Sequence, residues 1–213
     1  MYISRITINK ENVLRGDLSS GYLIHQAVWR LFADHADRRR DFLYRIDAAG
    51  KLPLVYTVSE RKPDRSNQTW CIESKPYMPQ VKTGMRLGFM VRVNPTVTKD
   101  AKRHDVVMEA RYKLRAAGLK NVPSRQELIA DACGKWLDKR SEKNGFKVIH
   151  FRADGYQQVN FPKGTTGMNV SYSVVDLSGI LEVTGLKAFL DMLFAGLGPA
   201  KGFGCGLMLV CKL

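Results

Sequence analysis

Residues 196–207 read GLGPAKGFGCGL, with five glycines in twelve positions. Upstream, Leu186, Phe189, Leu190, Leu193, Phe194 and Leu197 recur at the spacing of one helical face. The spacing predicts a helix that runs to Gly198, where Pro199 forbids its continuation. After Lys201, glycines at 202, 204 and 206 alternate with Phe203, Cys205, Leu207, Leu209 and Cys211. That is the pattern of a strand with one bare face, against which another backbone can come close. A dinucleotide fingerprint would sit between a strand and a following helix, and here the order is helix, loop, strand. A nucleotide P-loop would need Gly-Lys-Ser/Thr opening a helix, which Lys201-Gly202-Phe203 does not supply. Two readings stay open: a helix cap before a glycine-weakened edge strand, or a cradle of backbone N–H groups beside Lys201 that holds a polyphosphate chain.

Working outward, the chain has 213 residues, enough for one large domain or two smaller ones, and carries 34 Lys and Arg against 20 Asp and Glu, a formal charge of +14. Such an excess points to a polyanionic partner. Residues 1–95 hold 16 basic and 9 acidic side chains, residues 96–152 hold 14 and 7, and residues 153–213 hold four of each. The glycine stretch therefore lies in the neutral part, and the attraction comes from elsewhere. No apolar run approaches the ~20 residues of a membrane-spanning helix. Cys71, Cys133, Cys205 and Cys211 form no C-x-x-C pair, and the histidines at 25, 35, 104 and 150 lack ligand spacing. The expectation is a soluble cytoplasmic protein with reduced thiols, no structural zinc, no cofactor and no membrane partner.

Residues 2–8 alternate as a central strand, and Ile24, Ala27, Val28, Leu31 and Phe32 trace the buried face of a first helix. Beside that face runs a second stripe, Tyr22, His25, Trp29 and Phe32, which makes Tyr22 and His25 neighbours one turn apart. Strands are expected at 42–46, 54–59, 70–73 and 85–93, the last closed by Asn94-Pro95. This order fits one ferredoxin-like unit, over residues 1–95, whose second helix is not visible between residues 60 and 84. A second unit, 96–213, repeats the pattern: a helix opened by the capping box Ser124-Arg125-Gln126-Glu127, strands at 146–152, 156–161, 168–175 and 179–183, then the last helix and the glycine strand. The fold class is α+β, two tandem ferredoxin-like (RNA-recognition-like) domains with antiparallel sheets. Between the units, residues 99–120 carry Lys99, Lys102, Arg103, Arg111, Lys113, Arg115 and Lys120 without core periodicity, a basic arm suited to a nucleic-acid backbone.

Four stretches stand in fixed order: MYISRITI, YLIHQAVWRLF, VRVNP and GLGPAKGFGCGL. Together they resemble the CasE family, the RNA endonuclease of the type I-E CRISPR Cascade complex. The resemblance implies that His25 is the catalytic histidine, Tyr22 its partner in a Y-x-x-H spacing, and residues 196–206 the family's glycine-rich loop. Where some members place an assisting lysine, this chain has Arg30. The implied partners are the CRISPR repeat RNA hairpin and other Cascade subunits, with Lys99, Lys102, Arg103, Lys201, Gly202 and Gly204 as candidates for RNA contact. RNA brings its own nucleophile, the 2′-hydroxyl, so such an enzyme needs only to align it, move protons and stabilise charge, with no metal. The alternative is a non-catalytic RNA-hairpin-binding subunit; a double-stranded DNA binder would suit the charge but lacks a helix-turn-helix or zinc finger.

Overall fold

A computed structural model describes residues 1–8, 21–35, 38–47, 53–66, 70–118, 123–163 and 168–213, with the side chains of 8, 21–23, 161–163 and 168 outside that description. β1 (Tyr2–Ile8) buries Ser4 and Ile6 and is flanked on both sides, as its alternation predicts. It is followed by α1 (Gly21–Arg30), β2 (Phe42–Asp47), β3 (Leu54–Ser59) and β4 (Trp70–Pro76), which build an antiparallel sheet in the order β2-β3-β1-β4. Ile24, Val28, Leu31 and Phe32 pack this side of the sheet against Ile6, Phe42, Tyr44, Val55 and Trp70. Among the described residues between β3 and β4 no helix forms. Arg61 instead ties that segment to the end of α1, donating to Asp41 Oδ2 at 2.6 Å and to the Phe32 carbonyl, while Asp64 N–H donates to the Leu31 carbonyl at 2.7 Å.

The strand expected to close this first unit does not. β5 (Arg86–Val93) pairs with the second half of the chain, in a sheet ordered β10-β5-β9-β8. Its inward residues Leu87, Phe89, Val91 and Val93 are buried with the helices of that half, and alternation alone reports two covered faces without saying which sheet covers the edges. We propose that the two units divide between Pro76 and Arg86 rather than at residue 95. On that division both sheets carry the strand order of a ferredoxin-like βαββαβ unit.

The basic arm has regular structure through residue 116, and its Lys120 lies outside the described residues. β6 (Thr96–Lys99) and β7 (Lys102–Asp105) form a hairpin whose turn residues Asp100 and Ala101 both have positive φ, 48° and 59°, as a tight two-residue turn demands. The Asp105 carboxylate accepts from Val107 N–H and Met108 N–H and so caps α2 (Val106–Ala116). The predicted capping box opens α3 (Arg125–Ser141). The four strands expected next are two long ones, β8 (Phe146–Lys163) and β9 (Met168–Val183). Glycines at or beside the expected gaps sit at irregularities of the long strands: Gly155 adopts φ 62° near the register shift between Asp154 and Gln157, and a Cβ on Gly179 would strike the His150 carbonyl.

The glycine stretch departs most from expectation. α4 (Leu186–Ala195) stops at Gly196, with φ 82°, two residues before the predicted end, and β10 (Met208–Lys212) begins only after the last glycine. Between them Gly198, Ala200, Gly204 and Gly206 all have positive φ, and residues 201–203 make one 3₁₀ turn, so no strand with a bare face exists there. A strand needs extended backbone; four left-handed residues in nine fold the chain back on itself. Part of the N–H cradle is also spent internally, since Gly206 N–H donates to the Arg92 carbonyl and Leu197 N–H to the Gly206 carbonyl. The loop is wedged between the units. A Cβ on Gly196 would lie 2.9 Å from Leu43 Cδ2, and Leu207 is buried with Leu43 and Val58 of the first sheet. Beside it Asp176 Oδ2 accepts from Arg92 at 2.6 Å, and Asp176 Oδ1 lies 3.0 Å from Arg45 Nη1 of the first sheet, an ion pair off the line of a hydrogen bond.

Candidate active site

His25 is reached from this seam. It lies on the rim of the buried α1 face, half-buried, with the ring centroid 5.9 Å from Trp29 one turn on and 5.3 Å from Phe203 of the glycine loop. Its Nδ1 is 2.7 Å from the hydroxyl of Tyr44 on β2, and that hydroxyl donates to the Gly202 carbonyl at 3.1 Å. A carbonyl can only accept and a phenol has one proton. The proton of Tyr44 therefore goes to Gly202, His25 donates from Nδ1–H, and the basic lone pair is on Nε2. Burial pushes the Tyr44 phenol far above its ordinary range, so it stays protonated in this relay.

Two cations share the site. Arg40, half-buried two residues before β2, stands over the loop, its Nη1 3.0 Å from where a Cβ on Gly202 would be. Lys201 is half-buried too, and its ammonium is held below the usual lysine range first by burial and then by Arg40. Burial, with the Arg40 charge second, lowers the His25 pKa from 6.5, so the imidazole is neutral at pH 7. The arrangement offers a neutral base of fixed tautomer next to two positive charges, which suits a phosphate that gains negative charge as it reacts.

Of the residues expected from sequence, the structure brings together His25, Lys201, Gly202 and, through its packing on Tyr44, Gly204. The Tyr22 side chain lies outside the described residues. Arg30 is exposed at the end of α1, roughly 140° around the helix from His25 at 100° per residue, and does not face the same side. Lys99, Lys102 and Arg103 are exposed on the β6–β7 hairpin; Lys99 is ion-paired with Glu109, while Arg103 lines a cleft of about 370 Å³ that reaches Phe203. Tyr44 and Arg40 were missed because no spacing links β2 to α1 or to the C-terminal loop. The run Arg38-Arg39-Arg40 was visible only as charge.

The fold and site define a tandem ferredoxin-like protein with a histidine, a phenol and two cations gathered where its halves meet. The chain belongs to the family described as CRISPR associated protein, whose model matches residues 1–212, and within it to the CasE type that the four quoted stretches resemble. It is 25% identical over 219 residues to the CRISPR system Cascade subunit CasE of Escherichia coli, covering 100% of both chains. It is 27% identical over 229 residues to the CRISPR-associated endoribonuclease Cse3 of Thermus thermophilus, covering 99% of each. Among solved structures it is similar to a CRISPR endoribonuclease Cse3 bound to a 19 nt RNA, with a TM-score of 0.76 and 24% identity over 100% of both chains.

Proposed function

We propose that the protein is a metal-independent endoribonuclease that cuts CRISPR precursor RNA at the repeat hairpin and stays bound to the guide RNA within a Cascade complex. The observation that carries this reading is His25 held by Tyr44 with Arg40 and Lys201 at the same site. His25 Nε2 takes the proton from the 2′-hydroxyl, whose oxygen forms a bond to phosphorus while the bond from phosphorus to the 5′ oxygen breaks. The departing oxygen takes up a proton, for which the Lys201 ammonium stands at the site, and Arg40 faces the charge on the phosphoryl oxygens. The products are a 2′,3′-cyclic phosphate and a 5′-hydroxyl. We assign the cationic role to Arg40 and Lys201 in place of Arg30. Tyr22, one turn before His25, keeps its assignment as a partner of the histidine. The hairpin stem, an A-form helix whose deep major groove hides its base edges, is gripped through its phosphates by Lys102 and Arg103 on the exposed β6–β7 hairpin, with Lys99 beside them. The relative named as a Cascade subunit supports the place in that assembly.

The test is cleavage of the repeat RNA with a single deoxyribose just 5′ of the cut, in excess EDTA. Cutting of the all-ribose RNA should persist in chelator and cease with the deoxy substrate; cleavage of the deoxy substrate, or loss in EDTA, sinks the mechanism.

The pH dependence follows from the shift. Because His25 acts unprotonated and its pKa is lowered, kcat/KM should rise with pH to a plateau through a midpoint below 6.5. Arg40→Gln removes a charge that disfavours imidazolium, so the midpoint should move up while the plateau falls. An unmoved midpoint would separate Arg40 from the histidine.

A further inference from the structure

Two clefts flank His25, and their chemistry differs. The one beyond Trp29, of about 400 Å³, is lined by Arg38, Arg39, Arg40 and Arg61 together with Asp34 and Asp41; Arg38 and Arg61 are ion-paired with these carboxylates, and the remaining positive charge suits phosphates. The one beyond Phe203, of about 370 Å³, is lined by Met108, Val170, Tyr172, Ala200 and Phe203. The exposed Gln158 and Ser171 also line it, as do polar groups at Asn94, Thr96, Asp105 and Ser173. The Tyr172 ring is stacked with Phe203 at 5.1 Å, which continues the ring contact of Phe203 with His25. We propose that this second cleft holds one unstacked nucleobase of the RNA, that of a nucleotide bordering the cut phosphate; the inference rests on the nuclease reading above.

Three observations select a base over a phosphate. Among the described residues lining the cleft Arg103 is the one cation, and it is exposed on the β6–β7 hairpin, where it serves the stem phosphates. The carboxylate that lines the cleft, Asp105, is already committed, accepting from two backbone N–H groups, from the Tyr156 hydroxyl at 2.9 Å and from the Ser173 hydroxyl. Asn94 is committed too, its amide donating to the Ser173 carbonyl at 2.6 Å. The walls thus offer aromatic and aliphatic faces, while Gln158 and Ser171, both exposed, can meet hydrogen-bonding groups on a base edge. Bases stack on aromatic rings whatever their identity, and single-stranded RNA is read by just such splayed-out bases. A phosphate held at His25 would leave the adjoining base one ring away from Phe203, with the scissile backbone pinned on both sides.

The probe is the repeat RNA made uncleavable by the deoxy substitution, with 2-aminopurine placed in turn at the nucleotide on each side of the cut. Binding by the wild-type protein should quench the fluorophore at one of these positions, as stacking does. Ser171→Ile fills the cleft from an exposed strand position where a branched side chain is tolerated, and should restore the fluorescence while the RNA stays bound. Tyr172→Leu, which keeps an apolar side chain without the ring, should do the same. An abasic residue at the quenched position, in otherwise cleavable RNA, should slow cutting roughly tenfold, the size of a lost base-aromatic stack. Bound RNA without quenching at either position, or full-rate cutting of both abasic substrates, overturns the pocket and leaves the nuclease reading intact. Failure to cut the unmodified hairpin overturns both.

Discussion

His25→Ala should cut the repeat hairpin roughly 10²- to 10⁴-fold more slowly than the wild type, the usual worth of a general base, and bind it with unchanged affinity. Rate and affinity separate because the affinity comes from charge elsewhere: the exposed hairpin carries Lys102 and Arg103, and the cleft beyond Trp29 carries Arg39 and Arg40 beside the ion-paired Arg38 and Arg61. Tyr44→Phe is the informative companion. It keeps the buried ring and deletes the hydroxyl that receives His25 Nδ1–H, so the tautomer is no longer imposed, and the rate should fall less than in His25→Ala. Single-turnover cleavage measured beside filter binding reads both quantities. Normal cutting by His25→Ala would leave an RNA-binding subunit with a structural histidine, whereas equal loss of cutting and binding would place His25 in the RNA grip.

What the sequence showed of this site follows from how local each feature is. His25 stood out because α1 is amphipathic and the histidine lies beside, not within, its apolar stripe. The capping box at Ser124 and the central position of β1 were likewise readable, since each depends on neighbours within one turn or one strand. The partnership of His25 with Tyr44 and Arg40 spans sheet, helix and C-terminal loop, and no period or spacing encodes it. β5 was misplaced for the same reason: alternation specifies burial, and the choice of sheet is made by Leu87, Phe89 and Val91 packing on helices that come later in the chain. The glycine run was misread because alternating glycines satisfy two patterns, a strand with a bare face and a chain of left-handed turns. Their φ values, not their spacing, decide between them.

That last distinction makes a strong prediction for Gly204→Val. As part of an edge strand, a β-branched residue here would be neutral or stabilising. In the structure Gly204 is buried, has φ 80°, and a Cβ would lie 3.1 Å from Tyr44 Cε2. Valine would have to adopt a left-handed conformation that branched residues resist, and its two methyl groups would press on a ring that is itself enclosed. Strain and overpacking together should cost about 3 kcal/mol, lowering the melting temperature by roughly 6–12 °C for a chain of this size. Cutting should fall with it, because the ring displaced is the one whose hydroxyl sets the His25 tautomer. Gly204→Asn separates the two costs: asparagine tolerates the left-handed region, so it should relieve the backbone strain and retain only the contact with Tyr44. Thermal unfolding of the three proteins, followed by circular dichroism, should therefore rank wild type above Gly204→Asn above Gly204→Val. Valine melting at or above the wild-type temperature would return the loop to an extended strand and remove Gly204 from the support of the active site.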